Sequence, residues 1–231
     1  MEENRFENPD QDPRNKRSLK EGISTFVTEH KILTFLSLFL VLAVIILLIQ
    51  SFTKKEYDVF LLYAGPTYAN QADLHNSMVS SVSDLCITSK DRVSISSIVW
   101  VPDRLVEKYS REDLYYNGAS NAEALQSFHY ALAAGDYSIL LIDPELYQKS
   151  SDLDIFVSLD ELGVGDAARI DAYALKLSDL SLYSKPGFSS LPEDTLLVLR
   201  KQSFIQTILT NQKKRAQLYS KQVEAFKLLV Q

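Results

Sequence analysis

Between Lys31 and Lys54 the chain runs for 22 residues, Ile32 to Thr53, without a charged side chain. The stretch ILTFLSLFLVLAVIILLIQSF is apolar on every side of a helix, with Thr34, Ser37 and, at its end, Gln50-Ser51 its only polar members. At ~1.5 Å rise per residue the run reaches roughly 33 Å, enough to cross a hydrocarbon core of about 30 Å. A buried helix of a soluble protein is usually shorter and amphipathic. A cleaved signal peptide fits poorly too. It would need an n-region of 31 residues, an h-region longer than the usual ~7–15, and a small-x-small cleavage site, which does not follow Gln50. The reading is an uncleaved signal anchor over residues 32–53.

Orientation follows from the flanking cations. Arg14, Lys16, Arg17, Lys20 and Lys31 stand on the amino side, against Lys54 and Lys55 on the other. This bias places the amino terminus in the cytoplasm and residues 54–231 outside the cell membrane. The outer part carries 18 Lys and Arg against 23 Asp and Glu, which excludes a nucleic-acid surface. Residues 1–31, polar and interrupted by Pro9 and Pro13, read as a disordered cytoplasmic tail whose last segment, ISTFVTEHK, either extends the membrane helix or lies at the interface. Cys86 is the sole cysteine, so no intrachain disulfide forms, and among Val82, Leu85 and Ile87 it reads as a small buried hydrophobe. That, with no N-x-[ST] acceptor, suits a bacterial surface protein.

The outer domain alternates strand and helix signals. YDVFLLYAGP is a buried strand stopped at Gly65-Pro66, residues 70–86 have helical apolar spacing, and VSISSIVWVP is a second strand closed by Pro102. RLVEKYSREDLYYNG is ambiguous between a short helix and an excursion. A helix from Asn121 to Ala134 ends at Gly135, and a third strand, Ser138 to Ile142, leads into a short helix opened by Pro144 and Glu145. This order predicts an α/β domain with right-handed crossovers and a mainly parallel sheet. Further strands are expected near 171–177 and 195–200, joined by the loop SLYSKPGFSSLPED. A long helix closes the chain from Ser203 to Val230, with Phe204, Ile208, Tyr219, Val223, Phe226 and Val230 on its apolar side. Its Lys213-Lys214-Arg215 run reads as a solvated face, with contact to anionic lipid headgroups the sharper alternative.

The succession AGDYSILLIDPELYQ, FVSLDELG, DAYALKLSD and LPEDTLLVLR resembles one lobe of the type 2 extracellular solute-binding proteins, over roughly residues 56–230. That resemblance implies a periplasmic-binding-protein-like lobe carried behind a single span. The family holds its ligand between two lobes, yet here Ala172–Leu177 leads to Asp194–Arg200 in under 20 residues. With no room for a second lobe, small-molecule affinity would need an open groove, a dimer or a partner.

No chemistry-bearing motif accompanies the fold. His75 and His129 lack metal-ligand spacing, the acids Asp152, Asp154, Asp160 and Glu161 sit among apolar residues rather than in a calcium loop, and GVGD is a turn signal. No G-x-S-x-G elbow occurs. The expectation is therefore a protein without catalytic residues, metal or cofactor. Ligand surfaces of open α/β sheets lie beyond the carboxyl ends of the strands. The candidate ligand or partner face is thus Gly65, Pro66, Thr67 and Tyr68 after the first strand, Trp100 and Asp103 after the second, and Asp143 and Glu145 after the third. Trp100 stands out, because Trp is enriched at interface hot spots. Two functions follow as expectations: an anchored interaction domain accessory to a membrane complex, or a one-lobe module that binds or senses a solute. The charge bias makes the first testable outcome topological: protease added to intact cells digests residues 54–231. Digestion only after lysis would reverse the orientation.

Overall fold

A computed structural model describes residues 31–52, 57–85, 92–111, 116–165, 168–202 and 212–231. The expected tail, Cys86, Phe204 and Ile208 lie outside these residues. The chain divides into two compact units, Met1–Lys54 and Lys55–Gln231. In the first, α1 (Lys31–Phe52) is a single helix, long and apolar enough to cross a membrane. Its large hydrophobic side chains, such as Ile32, Phe35 and Phe39, are exposed.

The second unit is built on a five-stranded sheet of order β2-β1-β3-β5-β4, where β1 is Val59–Gly65, β2 Val93–Val99, β3 Ile139–Ile142, β4 Ala174–Lys176 and β5 Leu196–Leu199. β1 pairs parallel with both β2 and β3, whereas β5 runs antiparallel to β3 and to β4. The sheet is therefore mixed, and the expectation of a mainly parallel sheet is corrected. The cause lies between β4 and β5, where 177–195 is folded into short turns, including the 3-10 segments Leu177–Asp179 and Ser181–Ser184, rather than into a crossover helix. Without a crossover the returning strand must run opposite to the one it left.

Local chemistry sets the element ends. Asn70 caps α2 (Gln71–Ser81) by accepting from the N–H groups of Ala72 and Asp73. Asn117 does the same for the helix that follows α3 (Asp103–Arg111), namely α4 (Gly118–Ala134), which ends on Gly135 in the left-handed region at φ 75°. Asp143 caps α5 (Pro144–Ser151), with Pro144 in the first turn as expected. Ser158 caps α6 (Leu159–Leu162).

Alternation along β1 divides the core between the two faces of the sheet. Val59, Leu61 and Tyr63 pack on one face with Leu74 and Met78 of α2 and with Ala225, Phe226 and Leu229 of α7 (Gln212–Leu229). Leu62 and Ala64 pack on the other with Phe128 and Leu132 of α4 and Leu146 of α5. All four residues of β3 are fully buried, and each such aliphatic side chain contributes roughly 1.5–3 kcal/mol of transfer free energy. The segment expected as a loop is itself core, with Leu182, Phe188 and Leu191 buried. It fits because Gly187, at φ 83°, presses against α2, where a Cβ would fall on the backbone of Leu74. At the foot of the sheet Asp58 pairs with Arg92 and with Lys221, 2.9 Å away, while the Gln222 amide accepts from the Phe60 N–H at 3.0 Å, tying α7 to β1.

Burial holds the phenols of Tyr63, Tyr147 and Tyr219 above the ordinary value of 10.0, and for Tyr147 the hydrogen bond to Asp171 adds to it. A folded pKa above the unfolded one means that the stabilisation is complete below pH 10 and is lost as pH rises through the folded values. Denaturant midpoints measured from pH 8 to 12 should be level to about pH 10 and then fall, less steeply in Tyr147→Phe.

Candidate functional site

The chain leaves β1 towards β2 on one side, and β3 lies on the other, with crossovers covering opposite faces of the sheet. This is a topological switch point, and the crevice at the carboxyl ends of β1 and β3 is the place where open α/β sheets take ligands. Because β5 is antiparallel to β3, its beginning, with Asp194, arrives at the same edge.

One residue that the sequence reading passed over dominates this edge. Arg104, in the first turn of α3, donates from both terminal nitrogens to the two carboxylate oxygens of Asp143, at 2.8 and 2.7 Å, and from Nη2 to Asp194 at 2.7 Å. Glu145 stands 3.9 Å from the same guanidinium. The Asp143 side chain is 1% exposed and also caps α5 by accepting from the Glu145 N–H at 2.9 Å. Hydrogen bonds to Asp143, with the charges of Asp143 and Asp194, hold Arg104 protonated well above its ordinary value. The arrangement is a bidentate fork on a desolvated carboxylate, the strongest common geometry for this pair.

The expected face is partly brought together and partly turned to structural work. Gly65 lets the chain turn against Tyr63, since a Cβ there would lie 2.6 Å from the Tyr63 hydroxyl. That hydroxyl bonds the Thr67 hydroxyl at 2.9 Å, so Thr67 fixes the exit of β1. Tyr68, 87% exposed, is the most projecting aromatic of the edge. Trp100 is only 2% exposed and lies under Lys149, whose Nζ is 4.9 Å from the ring centroid. Glu145 accepts from the Asp103 N–H at 3.1 Å and from Lys149 at 2.8 Å, and this bond, followed by the Glu145 charge, raises the Lys149 pKa. Asp143 and Glu145 thus serve Arg104, Lys149 and the helix start.

The clamp itself borders a shallow groove of about 380 Å³ that opens between Pro66, Thr67, Leu105, Tyr109, Leu191 and Pro192, with Arg104, Lys108 and Asp194 on its lining. Tyr109 closes one end by donating to the Pro66 carbonyl at 2.9 Å. Among the described residues no group of three or more His, Cys, Asp or Glu side chains is placed to hold a metal ion. Compared with protein family models, with curated proteins and with solved structures, the chain matches none.

Only a spatial signal could have pointed to Arg104: a lone cation just past the second strand end, facing strand ends that carry Asp143 and Asp194, 39 and 90 residues away. The tight packing at Gly65 is testable. Gly65→Ala should cost about 1–3 kcal/mol in urea denaturation, as overpacking does. Adding Tyr63→Phe, which removes the clashing hydroxyl, should return part of it.

Proposed function

We propose that the chain is a single-pass protein of the cell membrane, amino terminus inside, whose outer α/β domain is an interaction module accessory to a membrane complex. The observation that carries this reading is the self-paired guanidinium at the crevice. Where an open α/β sheet would admit a ligand, the protein places its own Arg104, bidentate on the buried Asp143 and shared with Asp194. A solute competing for that position would have to break a charge-assisted fork and leave Asp143 without its counterion. A protein surface needs no such displacement, and it meets instead the exposed Tyr68 and the groove rim. The apolar helix Lys31–Phe52 and the five-to-two bias of flanking cations support anchoring with the domain outside.

The second reading is a one-lobe solute-binding or sensing module, as the family resemblance implies. The open groove of about 380 Å³ is the observation in its favour.

A photo-crosslinker placed at Tyr68 separates the two in intact cells, with Tyr130, 64% exposed on α4, as control. The interaction reading predicts one discrete adduct to a polytopic membrane protein from position 68 and none from 130. A saturable solute-induced rise in Tm, abolished by Thr67→Ala, with no adduct from either position, would favour solute capture.

A further inference from the structure

β2 forms one edge of the sheet, and its backbone can be followed group by group. Arg92 accepts from the Asp58 N–H at one end and Trp100 donates to the Gly65 carbonyl at the other. Even-numbered residues from 92 to 100 therefore turn their N–H and C=O groups towards β1, while Val93, Ile95, Ser97, Val99 and Val101 turn theirs outward. Both ends of this outward row are closed by side chains. His75 Nε2 lies 3.1 Å from the Val93 carbonyl. The Asn121 amide accepts from the Val101 N–H at 2.7 Å and donates to the Val101 carbonyl at 2.9 Å, standing in for the backbone of a neighbouring strand.

Between these closures, the backbone groups of Ile95, Ser97 and Val99 have no protein partner among the described residues. The sequence VSISSIV also carries none of the usual devices that discourage pairing at an edge: no charge, no proline and no bulge against β1. The opposite edge is treated differently. There β4 is three residues long, and 168–170 lies along it, with Ile170 donating to Ala174 at 3.0 Å and Lys176 to Ala168 at 2.8 Å. Next to the open stretch of β2, a groove of about 520 Å³ is lined by Gln71, Ala72, His75, Asn76 and Ile95.

We propose that the outer edge of β2 receives a sixth strand from a partner protein. The open stretch, ~13 Å at ~3.3 Å per residue, matches an extended segment of about five residues. Its backbone pairs with Ile95, Ser97 and Val99, and its alternate side chains enter the groove. The groove holds no Asp, Glu, Lys or Arg to compensate a buried charge, so the entering side chains are uncharged and small or β-branched. This surface runs along the side of the sheet and not across its strand ends, so its failure and that of the strand-end reading are separately visible.

The test uses the full chain in detergent micelles and the peptide acetyl-Thr-Val-Thr-Val-Thr-Val-amide in large excess, with hydrogen exchange read at single amides. Slowing of exchange by about fivefold or more at Ile95, Ser97 and Val99, with Ser94, Ser96 and Ile98 unchanged, is expected from alternate pairing. The same peptide N-methylated at alternate residues should give none. Ser97→Pro removes an outward N–H and the exposed hydroxyl that accepts from Gln71 at 2.9 Å, and leaves the bonds to β1 intact, so it should fold and lose the effect. Ala72→Trp fills the groove from an exposed helix position and should also lose it. Even slowing at all six amides, no slowing at saturating peptide, or undiminished slowing in Ala72→Trp would overturn the proposal. So would a dimer already protected at the three outward amides without peptide, since the edge would then belong to a second copy.

Discussion

The carboxylate of Asp143 sits at the end of β3 with 1% of its side chain exposed, and everything at that edge is arranged to keep the charge stable. A buried carboxylate is costly unless it is paired and its lone pairs are filled. Here the Glu145 N–H takes one oxygen, and Arg104 takes both. Arg104 in turn reaches Asp194, so α3, the start of α5 and the approach to β5 are joined through one guanidinium. α3 has no fully buried residue among its nine, so these polar bonds, the Asp103–Glu145 bond and Tyr109–Pro66 hold it together with its half-buried Leu105 and Val106. A helix held in this way depends on the clamp far more than α2 or α4, which are held by buried apolar side chains.

In the proposed reading the clamp matters because of where the sheet places it. With β1 flanked by two parallel neighbours and its crossovers on opposite faces, the crevice at β1 and β3 is where such sheets take ligands, and there Arg104 is bonded to the protein's own Asp143 and Asp194 at the wall of the groove. What remains open is a surface: Tyr68 and the groove rim at the strand ends, and the central stretch of the β2 edge at the side.

Much of this was legible in the chain. The uncharged run, the buried strand at Val59–Tyr63, the Pro144-Glu145 helix start and the Gly135 stop each depend on neighbouring residues, and each appears in the structure close to its expected position. The direction of β5 was not legible, because LLVL is equally apolar whichever way it runs, and direction is decided by the turns between Leu177 and Thr195. Trp100 drew notice as an aromatic at a strand end, but Lys149 and the α4 face of the core cover it. Arg104 lay in a segment that reads equally as a short helix or an excursion, and its partners are far away in sequence. Ion pairs between distant residues leave no local pattern, whereas caps and strands do.

The claim on which the account turns is that Arg104 and Asp143 are energetically coupled and not merely adjacent. A double-mutant cycle of Arg104→Ala and Asp143→Ala, followed by urea denaturation of the α/β domain, measures that directly. Because the Arg104 side chain is 39% exposed, solvent screening reduces the value below that of a fully buried pair, and a coupling of about 1–2 kcal/mol is predicted. A coupling within about 0.3 kcal/mol of zero, with the two single variants additive, would contradict it and leave the crevice open to a ligand.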